Sequence, residues 1–216
     1  MFGQNEVDME QMQKMLARKV QIEPIGKTPQ YIAGFDIQEC GDEMAVGVLV
    51  TFEISTHIIV DEIHVREKIT SEYRSGFLAL RELPLFLSCW AKITTKPDII
   101  VFDGHGIMHP RGLGLASHAG VKINHPTFGV AKNQLIGEFD EPDTTAGSWT
   151  PVIYKEQTVG ACLRTKDGTK PVFVSVGHKI TLEEVIEYTM QFANYRIPEM
   201  TRRADNLARK FCREME

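Results

Sequence analysis

Three acidic side chains stand where they could do chemistry. Asp36 follows the apolar run Tyr31-Ile32-Ala33-Gly34-Phe35, Asp103 follows Ile99-Ile100-Val101-Phe102, and Glu82 lies in the helical-looking stretch GFLALRELP. A carboxylate delivered by a buried strand is held in space without a long flexible side chain. One or two such groups make a sufficient site for magnesium, which takes hard oxygen ligands and keeps several waters. The chemistry they could support is metal-assisted hydrolysis, in which a divalent ion activates water and stabilises growing charge. Each residue also has a plain reading by itself. An aspartate after a strand can cap a helix or turn a loop, and Arg81-Glu82 on a helix is more often a surface ion pair.

Asp103 opens the segment DGHGIMHPRGLGLASH, which carries four glycines and three histidines. Glycine lets backbone N–H and C=O groups come close to a flat ligand, so a small-molecule pocket can adjoin the acid. Zinc is the rival reading of this segment, because His105 and His109 are four residues apart, as in helical zinc motifs. Gly104, Gly106 and Pro110 argue against a helix there, and no third ligand follows at a standard spacing. His57, His64, His125 and His178 belong to no motif.

The chain of 216 residues, 43% hydrophobic, is long enough to bury a core and fits a single domain over 1–216. Its opening, MFGQNEVDMEQMQK, carries acids before any long apolar run, unlike a signal peptide, and no stretch nears the ~20 apolar residues of a membrane span. A soluble, cytoplasmic protein is expected, with no membrane partner, and monomeric. Four cysteines (Cys40, Cys89, Cys162, Cys212) without a CxxC pair point to reduced, mostly buried thiols. A net charge of −5 disfavours indiscriminate polyanion binding, so any nucleic-acid contact must come from a local patch. Arg111, Lys122, Lys132 and the RTKDGTK stretch, Arg164 to Lys170, are the candidates, each also readable as solvated surface.

Periodicity places an amphipathic helix over Val7–Val20 and strands over Tyr31–Ile37, Met44–Phe52 and His57–Val65. A helix follows over Gly76–Ile93, kinked or restarted at Pro84, then a strand over Asp98–Phe102, a short helix over Leu115–Val121 and a strand over Thr127–Val130. Short strands over Val152–Tyr154, Val159–Leu163 and Val172–Val176 precede helices over Leu182–Ala193 and Pro198–Arg213. This order is that of a mixed sheet flanked by helices, an α/β fold. A ribonuclease H-like sheet has the same order, and in it the first and fourth strands lie side by side, which would unite Asp36 with Asp103.

Five blocks, in order, carry a more specific signal: GFDI, GFLALRELP, VFDGHGIMHPRGLGLASHAG, HPTFGVAKNQLIG and IPEMTRRAD. From about Tyr31 to Asp205 the chain resembles the endonuclease V family, metal-dependent nucleases that nick nucleic acid beside deaminated adenine. The resemblance implies the ribonuclease H-like fold. It also implies Asp36 and Asp103 as direct ligands of Mg²⁺, or of Mn²⁺, with Glu82 acting mainly through water on the metal. Asp205 is a fourth polar member, Lys132 faces the scissile phosphate, and His109 positions phosphate or water. The partner implied is inosine-containing DNA or RNA, cut at the second phosphodiester on the 3′ side of the lesion. A base swung out of the stack would enter a pocket lined by backbone at Gly76, Leu78, Gly104 and Leu115, with room made by Gly106 and Gly114. His118 matches a family position that could be structural.

One departure bears on substrate form. The family usually inserts a Pro-Tyr-Ile-Pro wedge beside the extruded base, and this chain reads Glu72-Tyr73-Arg74-Ser75. Tyr73 could still stack, but without both stiffening prolines the wedge should part a duplex less well, favouring single strands. Two rival functions remain: a ribonuclease H-like nuclease without a base pocket, and a non-catalytic inosine-binding protein.

Overall fold

The structure is a computed structural model describing residues 6–41, 43–69 and 76–214. Helix α1 (Glu6–Ala17) leads into three long strands, β1 (Tyr31–Cys40), β2 (Met44–Glu53) and β3 (Ile59–Lys68). Then come α2 (Leu78–Lys92), β4 (Ile99–Asp103), α3 (Leu115–Ile123) and β5 (Thr127–Ala131). The chain ends with β6 (Trp149–Tyr154), β7 (Gln157–Leu163), β8 (Val172–His178), α4 (Leu182–Gln191) and α5 (Glu199–Arg213). The wedge segment with Tyr73 lies outside the described residues.

All eight strands join one sheet in the order β3-β2-β1-β4-β5-β8-β7-β6. The pairs β1–β4 and β4–β5 are parallel and the others antiparallel, so the mixed sheet expected from the order of elements is the one found. Side chains alternate between the two faces of a strand, and the core divides accordingly. Ile32, Ile99 and Val101 pack with Met200, Ala204 and Leu207 of α5 and Val185 of α4. Ala33, Phe35, Ile100 and Phe102 pack on the other side with Leu83 and Phe86 of α2 and Ala116 of α3. Gly34 is the point of closest approach between β1 and α5: a Cβ there would lie 2.2 Å from the Met200 carbonyl oxygen.

Three expectations are corrected. Asp36 sits inside β1 rather than at its end, because the ladder with β2 runs on to the Cys40–Met44 pair, whereas the pairing with β4 ends at Phe35–Phe102. Helix α2 does not restart at Pro84 but passes through it as one element; the ring removes the N–H that would bond the Leu80 carbonyl, but Leu83, Leu85, Phe86 and Cys89 bury the same helix face against the sheet. The thiols are not all free. Cys40 and Cys212 form a disulfide, their Cα atoms 5.5 Å apart, because α5 runs alongside β1 and brings residues 172 apart together; Cys89 and Cys162 are free and buried.

Candidate active site

One residue beyond the Phe35–Phe102 pair, Asp36 and Asp103 occupy equivalent places on neighbouring parallel strands. By alternation both lie on the face that carries Ile32 and Val101, the face covered by α5. Asp205 belongs to that helix and Lys132 follows β5 by one residue, so one face and one end of the sheet gather four of the expected residues. Glu82 approaches from α2, in the opposite layer, and is itself buried.

The electrostatics record this convergence. Burial raises the Asp36 carboxyl well above its ordinary pKa, and the charge of Asp103, followed by that of Asp205, adds to the rise against the opposing Ile37 N–H. That N–H donates to Asp36 Oδ1 at 2.8 Å. Glu82 is raised in the same way, by burial first and then by the charges of Asp36 and Asp103. Lys132 donates from Nζ to Asp103 Oδ2 at 2.8 Å. Burial works against the Lys132 charge, yet the hydrogen bond and attraction of Asp103, with Asp36 and Asp205 behind it, leave its pKa raised. Asp205 Oδ1 accepts a 2.8 Å hydrogen bond from Arg209 Nε one helical turn on. Buried carboxyls that push one another toward protonation are a donor set in want of a cation. Among the described residues no three such groups close on a single point, but two adjacent carboxylates are enough for a hard divalent ion.

A cavity of about 200 Å³ begins at the residue after Asp103. Its walls include Gly76, Leu78, Gly104, Gly114 and Leu115, the set expected from the sequence, together with Gln13, Ala79, His105, His109, Leu113 and Leu135. Gly106 does not belong to that wall. A Cβ on it would lie 1.9 Å from the Val176 carbonyl oxygen, and its N–H donates to Ser175 Oγ at 2.8 Å, so its smallness serves packing on β8. His109 has both ring nitrogens committed: Nε2 bonds the Gly76 carbonyl at 3.0 Å and Nδ1 accepts from the Arg111 N–H at 3.3 Å. Burial and then the Arg111 charge hold its pKa down at about 4. It therefore stands on the cavity wall as a neutral ring.

Two residues of the expected basic patch are structural. Arg111 is tied to Glu10, Gln13 and the Gly76 carbonyl. Arg164 is 5% exposed, with Nε on the Asp143 carbonyl at 3.0 Å and Nη2 on Glu141 at 2.8 Å, so it braces the 141–143 loop instead of facing a phosphate. An arginine in a loop and an arginine filling its own protein's carbonyls look alike in sequence. Gln13 was missed as well, since nothing in the pattern of α1 marks a glutamine as buried.

The family model for endonuclease V matches residues 14–206. An endonuclease V of Petrotoga mobilis is 41% identical over 204 residues, 94% of this chain and 92% of the relative. The crystal structure of endonuclease V from Streptomyces avermitilis superposes with a TM-score of 0.92 at 37% identity, covering 98% of this chain and 94% of that one. That of a substituted Ciona intestinalis endonuclease V, in complex with DNA containing an inosine followed by a ribo-adenosine, gives 0.88 at 26% identity with 100% of each chain covered. Fold and sequence agree, and this chain belongs to the endonuclease V family of nucleases, hydrolases of phosphodiester bonds.

Proposed function

We propose that the protein hydrolyses the second phosphodiester on the 3′ side of inosine or deoxyinosine, with a divalent cation, Mg²⁺ or Mn²⁺, at Asp36 and Asp103. The observation that carries this reading is continuity: Asp103 ends β4, and the cavity wall starts at Gly104. Hydrolysis and recognition of one small flat ligand can thus be registered by a single covalent step in the chain. The inosine-containing DNA bound by the Ciona relative supports the choice of ligand.

When bound, the divalent ion supplies an activated water and offsets charge that grows on the phosphate. Asp36 and Asp103 would hold it, the first fixed by the ladder with β2 and the second by the ladder with β5. Glu82 on α2 and Asp205 on α5 would accept hydrogen bonds from water around it. Lys132, already 2.8 Å from Asp103, extends its ammonium toward the substrate phosphate and offsets negative charge there. The base enters the cavity, where fixed main-chain groups of the Gly104 and Gly114–Leu115 backbone meet its edge and Leu78 and Leu113 cover its faces. Hypoxanthine presents an O6 acceptor and an N1–H donor, so adenine in the same place leaves buried groups unpaired, at ~1–3 kcal/mol each. His109 supports the wall, as its two hydrogen bonds indicate, and acts on the phosphate only through it.

Cleavage of inosine-containing, adenine-containing and branched oligonucleotides, with magnesium or with EDTA, separates this reading from a nuclease that senses branches and from a protein that only binds inosine. The expected result is magnesium-dependent cutting of the inosine strand alone, lost in both Asp36→Ala and Asp103→Ala while affinity for the lesion persists. Retained cutting by either variant would overturn the site.

A further inference from the structure

We propose that Gln13 of α1 is a positioning residue that sets the width of the base cavity, a role that rests on the reading of that cavity given above. Helix α1 lies outside the loops and strands that carry the acids, and it is mostly a surface helix: Met15 is 66% exposed. Among its described side chains the one fully buried is not a methionine but Gln13, at 0% exposure. Burying an amide is unfavourable unless its donor and acceptor are both used. Both are. Nε2 donates to the Gly76 carbonyl at 3.0 Å, and Oε1 accepts from Arg111 Nε.

The same carbonyl gathers two more partners, Arg111 Nη2 at 2.7 Å and His109 Nε2 at 3.0 Å. A carbonyl oxygen has two lone pairs, so with three partners the Gly76 oxygen is saturated and is an anchor, not a reader of bases. Gly76 has φ +78°, which strains any side chain there, and a Cβ on it would lie 2.7 Å from Arg111 Nη2 and displace the guanidinium. Arg111 is held in turn by Glu10 at 3.1 Å and lies over the Phe77 ring, 4.4 Å from its centroid. Gln13 thus joins α1 to both sides of the cavity: the Gly76–Ala79 side, which leads into the helix bearing Glu82, and the glycine loop that starts at Asp103. The spacing between these walls decides which bases fit; Arg111 and His109 already reach across to Gly76, and Gln13 fixes that contact from α1 by bonding to both partners.

The test compares Gln13→Met, which keeps the volume and loses both hydrogen bonds, with Gln13→Glu, which keeps the acceptor for Arg111 and turns a carboxylate on the Gly76 oxygen. Steady-state kinetics on single-stranded inosine and adenine oligonucleotides, with melting temperatures alongside, read the result. We expect KM for inosine to rise about tenfold in both variants, with kcat within about threefold of wild type, and the inosine-to-adenine preference to fall about tenfold. Should Gln13→Met fail to fold, Gln13→Glu decides. An unchanged KM and preference in Gln13→Glu overturns the proposal, as does an equal loss on both substrates. A wild-type protein with no preference for inosine would overturn the reading of the cavity and the proposal with it; a selective wild type with equally selective variants overturns the proposal alone.

Discussion

A single hydrogen bond separates two roles for Lys132. Its ammonium is 2.8 Å from Asp103 and its side chain is nearly half exposed, so it can swing from the carboxylate to an incoming phosphate. A solvated loop lysine would be dispensable, whereas one that offsets transition-state charge would not. Lys132→Met is therefore expected to lower kcat by roughly 10²–10³ with little change in KM. Single-turnover rates at saturating inosine substrate check this, and a loss confined to KM would return Lys132 to the role of a surface contact. The residue scale also explains the two arginines that changed role. Arg111 and Arg164 find their partners among carbonyls and acids of the protein itself, and those partners come from segments distant in sequence.

At the scale of elements, α5 does more than cover the sheet. It brings Asp205 over β1 and ends with Cys212 bonded to Cys40, four residues past Asp36 on the same strand. The bond closes a loop of 172 residues, and cross-links of long loops restrict the unfolded chain most. Under oxidising conditions Cys40→Ser should lower stability by roughly 2–4 kcal/mol, and with reductant present it should change little. Thiol titration of the denatured wild type without reductant should find the two free cysteines, Cys89 and Cys162. Four titratable thiols would show that the pair stands open. Helix α4 shows a simpler relation of sequence to element: Thr181 accepts from the Glu184 N–H while the Glu184 carboxylate accepts from the Thr181 N–H, a reciprocal cap spelled by Thr-x-x-Glu.

For the whole molecule, a buried histidine makes stability depend on pH. His118 on α3 is 6% exposed, and burial, followed by the Lys122 charge, lowers its pKa to about 4. In the unfolded chain the imidazole titrates near ~6.5. The folded-state pKa is depressed, so the unfolded state takes up the proton first as pH falls. The stability involved is present above about pH 6.5 and drains away toward pH 4, by about 2 kcal/mol between pH 7.5 and 5. Urea unfolding at those two pH values should show a smaller acid loss in His118→Gln than in wild type; equal losses would assign the effect elsewhere.

The strands of β1 and β4, the acids they carry, the order of a mixed sheet and the glycine loop were legible in the sequence, because alternation and turn chemistry are local and each block holds its own signal. Periodicity also found each helix of the described residues, with ends that moved by a few residues. What the sequence could not contain was partnership across distance. Gly106 and Gly114 read alike in one loop, and a Cβ on either would strike backbone, at Val176 and at His105, yet of the two it is Gly114 that lines the cavity. Gln13 is an ordinary polar residue on a helix until α1 docks against Gly76, and Cys40 and Cys212 are unrelated thiols until α5 lies along β1. Residue types decide which chemistry is available; only the packing of sheet and helices decides which groups spend their hydrogen bonds and charges on each other and which remain free for a substrate.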